Sequence, residues 1–137
     1  SIGLPSGLEL QAGDVSSALA EADLAITKSG TITMECAAFG LPAVVFYKTS
    51  WPTYFIGRQI VSVKYLAMPN LMAGEEIYPE FVQDAATAEN ISRAALALLE
   101  DESRRAVVKA KLAGVVASLG KSGAALRAAD AIVSLLP

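Results

Sequence analysis

The stretch from Asp23 to Tyr47 restricts the folding of this chain more than any other. Leu24-Ala25-Ile26 is an apolar run of strand length. Ser29-Gly30 breaks it, Thr31 to Phe39 supplies one helical stretch, and Gly40 and Pro42 end that stretch. Ala43 to Tyr47 is a second β-rich run. A strand, a crossover helix and a second strand predict a βαβ unit with parallel strands, because a connection of this length returns the chain to the starting end of the sheet. The turn before such a helix directs free backbone N–H groups at one place. Those groups and the positive helix end suit an anion, typically a phosphate.

The turn residues sharpen this expectation. Ser29 is a good N-cap, and Gly30 lets a ligand approach the backbone. Thr31 and Glu35 are four apart and share a helix face. Glu35 is not a capping-box partner, since the residues three beyond Ser29 and Thr31 are Ile32 and Met34. Two readings of Glu35 stand side by side. It accepts hydrogen bonds from two hydroxyls, as of a ribose, or it is a surface acid favoured by the helix dipole. Lys28 either adds positive charge to the turn or is simply solvated.

Elsewhere the chain alternates β-runs and helices. Leu8 to Leu10 reads as a short strand. Asp14 caps a helix from Val15 to about Ala22, with Leu19 and Ala22 inward. After the loop Lys48-Thr49-Ser50, Pro52 opens a helix to about Val61 that carries Trp51, Tyr54, Phe55, Ile56 and Ile60, as a core face or as an exposed aromatic patch. Val63 to Met68 reads as the last strand, ended by Pro69-Asn70. Asn70 then falls at the ligand crevice, or serves as a turn residue beside proline. Leu71 to Phe81 reads as irregular, with room for one helical turn. Thr87 and Asp101 cap two helices with inward stripes Ile91, Ala94, Ala95, Leu98, Leu99 and Val108, Leu112, Val115, Val116, Leu119. Gly120 stops the second, and Ser122 caps a last helix bearing Leu126, Ala129, Ile132, Val133 and Leu136. Gly120-Lys121-Ser122 is not the end of a P-loop, because residue 115 is Val115 and no strand precedes it. The expected fold class is α/β, a Rossmann-like parallel sheet flanked by helices, with C-terminal helices.

Composition narrows the function. The 137 residues suit one domain with a real core. A net charge of −3 without a basic block speaks against nucleic acid. With no histidine and one cysteine, His-based catalysis, His-containing zinc sites and internal disulfides are excluded. Cys36, beside Ala37 and Ala38, reads as a buried small residue. Charges or Gly and Pro interrupt every apolar run before membrane-span length. The expected compartment is cytoplasmic.

Three blocks carry a resemblance. Ser29-Gly30-Thr31 with Glu35, followed by Pro42 to Lys48, looks like the donor-binding domain of the lipid-A-disaccharide synthase family. Met68-Pro69-Asn70-Leu71-Met72-Ala73-Gly74 is similar to that family's LPNLLAG-like run, and Pro79-Glu80-Phe81-Val82-Gln83 to its PELLQ-like run. Ile32, Met68 and Phe81-Val82 depart from the usual pattern by apolar exchange. The likeness extends from about Gly13 to the C-terminus.

The resemblance implies a GT-B glycosyltransferase that moves diacylglucosamine from its UDP derivative to a phosphorylated diacylglucosamine acceptor, without metal or cofactor. Residues 1–137 are then a single UDP-sugar-binding domain, a piece of a two-domain enzyme whose N-terminal acceptor domain, bearing the general base, is expected outside this sequence. The piece alone is expected to bind but not to turn over. The implied substrate-binding residues are Ser29, Gly30, Thr31, Glu35, Asn70, Glu80 and Gln83, with Glu80 open between a sugar ligand and a helix-start acid. Two alternatives stand beside this. One is a donor domain of peptidoglycan-type GT-B enzymes, against which the Asn70 and Gln83 blocks argue. The other is a non-enzymatic α/β interaction module. The 53% hydrophobic content suggests surface made to be covered by the missing domain, a second copy or the inner-membrane surface. Sedimentation and vesicle flotation are expected to detect dimers or vesicle-bound protein, whereas a strict monomer that ignores vesicles removes this expectation.

Overall fold

The computed structural model describes residues 6–52, 54, 63–120 and 123–135. Helix α1 (Val15–Glu21) leads to strand β1 (Ala25–Lys28), helix α2 (Ile32–Ala38) and strand β2 (Ala43–Tyr47). Helix α3 (Met68–Ala73) and strand β3 (Glu80–Val82) follow, and a 3₁₀ turn (Gln83–Ala85) leads on to helices α4 (Ala88–Glu100), α5 (Glu102–Ser118) and α6 (Ala124–Val133). The three strands form one parallel sheet in the order β1-β2-β3. The registers pair Ala25 with Ala43 and Val45 with Glu80. The expected βαβ unit and α/β class are therefore present.

β2 lies at the centre of the sheet, and its burial shows why. Ala43, Val44 and Val45 are all buried. Successive strand residues point to opposite faces, so both faces of β2 are covered. α2 packs on β1, β2, α3 and α5, while α4 packs on β2 and α5. Cys36 and Ala37 from α2, Leu98 from α4, and Val108, Leu112 and Val115 from α5 join β2 in one core. β1 has an open face instead, with Ile26 53% exposed.

Local signals act as their chemistry dictates. Asp14 accepts from the Ser17 N–H, Thr87 from Asn90 and Asp101 from Arg104, each capping the helix that follows. Arg105 donates to the carbonyls of Leu98 and Leu99 at the end of α4, where backbone acceptors lack helical partners.

Several expectations need correction. Val63 to Ala67 has no strand, and Met68 begins a helix rather than ending a strand. Pro69 sits in the first turn of α3, where its fixed φ and missing N–H are compatible with a helix. The third strand is Glu80–Val82, which begins inside the stretch expected to be irregular, and three residues are too few to show alternation. Leu8 to Leu10 is not a strand, and Leu8 and Leu10 are exposed. Leu19 packs against the core but Ala22 is exposed. Leu99 and Leu119 are exposed, as are Leu126, Ile132 and Val133 of α6, so the α6 stripe is uncovered among the described residues. Ser122, Leu136 and most of the expected Pro52 to Val61 helix lie outside them. Trp51, Pro52 and Tyr54 are helical, with the Trp51 and Tyr54 rings edge-to-face.

Two buried acids of the core predict a pH response. Burial pushes the Cys36 thiol above its ordinary 9.0, and burial likewise raises the Tyr78 phenol. The folded state thus favours both protonated forms. The unfolded chain releases the thiol proton first as pH rises, so stability is full below about pH 8 and falls above about pH 9. Urea midpoints across this range are expected to show that decline. Cys36 is expected to resist a thiol reagent until urea is added, and rapid labelling of the folded protein would place Cys36 at the surface.

Candidate functional site

The parallel strands bring the ends of β1, β2 and β3 to one edge of the sheet. Crevices beyond the carboxyl ends of such strands are where open α/β sheets bind ligands. At β1 the Ser29 N–H donates to the Phe46 carbonyl at 3.0 Å, extending the ladder by one bond. Gly30 then turns with φ 155°, a value that L side chains rarely adopt, and open space lies where a Cβ would stand. The N–H groups of Gly30, Thr31 and Ile32 have no acceptor among the described residues. Thr33 Oγ1 donates back to the Gly30 carbonyl at 2.7 Å and holds the turn. The Lys28 ammonium lies 5.7 Å from the centre of the Tyr47 ring, a cation–π distance.

Ser29 does not cap α2 as expected. Its hydroxyl donates to the Leu66 carbonyl at 2.7 Å, and Thr31 occupies the N-cap position without a side-chain cap bond. Glu35 lies in the first turn of α2, is exposed, and makes no side-chain hydrogen bond among the described residues. Gly30, Thr31 and Glu35 thus leave polar atoms open.

The other three expected site residues have inward partners. Asn70 is fully buried. Its Nδ2 donates to the Tyr78 carbonyl and to Glu80 Oε1, both at 2.7 Å, while its Oδ1 accepts from the N–H groups of Ile77 (2.9 Å) and Tyr78 (2.8 Å). An amide has two donors and two lone pairs, so Asn70 is saturated. Glu80 accepts from the N–H groups of Leu66 and Ala67 at 2.8 and 2.9 Å. It is neither at the start of its own helix nor idle: it caps α3 from a neighbouring strand. Gln83 is buried, donates to the Thr49 carbonyl at 3.1 Å and accepts from the Thr49 N–H at 2.8 Å. It sits at φ 53°, a left-handed conformation that costs an L residue roughly 1–2 kcal/mol. Two net hydrogen bonds of about 1 kcal/mol each offset that strain.

Ser29, Asn70 and Glu80 are therefore joined in one network through Leu66 and Ala67. Gln83 instead pins the loop after β2, and Glu35 joins neither group by a hydrogen bond. Leu66, Ala67 and Thr49 are partners that sequence reasoning missed, because they contribute only backbone atoms. One signal for the first pair exists: α3 begins behind an alanine, which cannot cap, so the cap must come from elsewhere. A separate groove of about 210 Å³ lies between α3 and α5, lined in part by Lys111 and Glu75, which form an ion pair at 2.7 Å, and none of the expected site residues line it.

A family model described as lipid-A-disaccharide synthetase matches residues 7–132. The chain belongs to this family. It is 39% identical over 132 residues to the lipid-A-disaccharide synthase of Syntrophus aciditrophicus (strain SB), covering 96% of this chain and 34% of that protein. It is 42% identical over 125 residues to the lipid-A-disaccharide synthase of Solibacter usitatus (strain Ellin6076), covering 90% and 33%. With the corresponding protein of Persephonella marina (strain DSM 14350 / EX-H1), identity is 44% over 107 residues, covering 78% and 28%. The chain spans about a third of the length of these relatives. Among the described residues no helix is long and apolar enough to cross a membrane.

The saturation of Asn70 yields a stability test. Asn70→Ala strands two buried N–H groups and one carbonyl and removes a partner of Glu80. Each stranded buried group costs about 1–3 kcal/mol, so a total loss of about 2–4 kcal/mol is expected after partial relaxation. Urea unfolding measures it, and a loss within about 0.5 kcal/mol would show that other groups replace the amide.

Proposed function

We propose that this chain is the donor-binding part of a glycosyltransferase of lipid A synthesis. In this reading the donor is UDP-diacylglucosamine, the acceptor a phosphorylated diacylglucosamine, and the products the disaccharide and UDP. The observation that carries the reading is the family match across residues 7–132. The open N–H groups of Gly30, Thr31 and Ile32 at the end of β1 support it.

The chemistry asks for little beyond charge control. As the sugar leaves, negative charge gathers on the UDP diphosphate, and fixed dipoles stabilise it without reorganising. Gly30, Thr31 and Ile32 supply such dipoles, and Lys28 adds a cation beside the same turn. Glu35, one helical turn further on, accepts the ribose hydroxyls. Ser29 shapes the turn, while Asn70, Glu80 and Gln83 shape the adjoining walls. The general base and the acceptor site belong to the rest of a two-domain GT-B enzyme, so this chain alone binds donor without turnover. The open face of β1 and the uncovered α6 stripe suit contact with that domain, with a second copy, or with the inner-membrane surface at the cytoplasmic side.

Glu35 offers the test. Hydrogen bonds to a charged acceptor contribute about 1.5–3 kcal/mol, so Glu35→Ala is expected to weaken UDP binding by roughly 10- to 100-fold. Uracil alone should be little affected. Stability should change by no more than about 0.5 kcal/mol, as for other exposed helical substitutions. Calorimetry with a circular dichroism control decides it, and unchanged UDP affinity in the folded variant removes Glu35 from the site.

A further inference from the structure

Leu66 is held from both sides. Its N–H donates to Glu80 Oε2 at 2.8 Å, and its carbonyl accepts from Ser29 Oγ at 2.7 Å. Ser29 follows β1 and Glu80 opens β3, the two outer strands of the sheet, which pair with β2 and not with each other. The backbone at Leu66 and Ala67 therefore links the two outer strands. Ala67, the N-cap residue of α3, has no side-chain cap, so its N–H and that of Leu66 depend on the carboxylate from β3. Asn70 Nδ2 steadies that carboxylate on Oε1. The carboxylate thus receives three inward hydrogen bonds, filling most of its roughly four acceptor positions.

We propose that Glu80 is a positioning residue for the nucleotide site: it fixes Leu66, whose carbonyl in turn fixes Ser29 and the turn through Gly30 and Thr31. The role rests on the nucleotide reading given above. It differs from a direct sugar contact, because a brace acts on every ligand of the turn whereas a sugar ligand acts only on sugar-bearing nucleotides.

The test compares the 137-residue chain with its Glu80→Gln, Ser29→Ala and double variants. UDP and UDP-N-acetylglucosamine are titrated by calorimetry, and amide resonances are followed by NMR. Glu80→Gln replaces one accepting oxygen by a donor that faces a backbone N–H. It is expected to weaken both nucleotides by the same factor, about tenfold, as for one lost charge-assisted hydrogen bond. The double variant is expected to be no weaker than the worse single variant, because both changes break one chain of contacts. Unchanged UDP affinity with weakened UDP-N-acetylglucosamine would make Glu80 a sugar ligand and overturn the proposal. Additive losses would overturn it as well.

Should the unsubstituted chain bind neither nucleotide, the donor reading fails, and the brace is judged on spectra alone. Glu80→Gln should then move the amide resonances of Leu66 and Ala67 together with those of Ser29 and Gly30. Movement of the first pair without the second would overturn it. Should Glu80→Gln lose the fold, Ser29→Ala decides from the other end of the chain of contacts. It should shift the Leu66 and Ala67 amides, and their invariance would overturn the proposal.

Discussion

The contact between the Asn70 amide and the Glu80 carboxylate is the constraint on which the architecture around the strand ends depends. Asn70 is buried, and an amide without partners in such a place costs several kcal/mol. Its four hydrogen bonds remove that penalty only if residues 77–78 and 80 are all in register, and the Glu80 carboxylate extends the network to residues 66–67. The interaction is consequently more a specifier of geometry than a large net source of stability. It places α3 and β3 relative to each other, and through Leu66 it places the turn after β1.

Tyr78 shows how this polar knot is joined to the apolar core. Its two backbone groups serve Asn70, while its phenol donates to the Leu41 carbonyl at 2.9 Å. Leu41 belongs to the turn that ends α2, so both ends of the first crossover are tied to the 66–80 segment. On the other side, Gln83 mimics a backbone pair with Thr49 and continues the β2–β3 association after the ladder ends at Tyr47 and Val82. Polar side chains here do backbone work, because each loop leaves donors and acceptors that the short sheet cannot match.

The polar residues around the strand ends therefore divide into two groups. Asn70, Glu80 and Gln83 face inward and hold segments together, whereas Gly30, Thr31 and Glu35 keep polar atoms open beside the turn. Open donors next to hydrogen-bonded, fixed neighbours suit preorganised charge stabilisation, since dipoles that must reorient lose much of their effect.

Sequence by itself determined the parallel βαβ unit, the bounds of β2, and the caps Asp14, Thr87 and Asp101, because those features depend on neighbours within a few residues. It also carries the polar side chains of the candidate site in recognisable blocks. Tertiary structure decided what those residues do. β3 is three residues long and exists only by pairing with Val45 to Tyr47. The apolar run before Met68 resembled a strand, and Pro69 suited equally a strand end and a helix start, until Glu80 supplied the missing cap. Ser29 had a good local partner in the α2 backbone, yet its hydroxyl bonds to Leu66, 37 residues away. A hydrogen-bonding side chain declares its chemistry in the sequence, but its partner is chosen by whatever folding brings within about 3 Å.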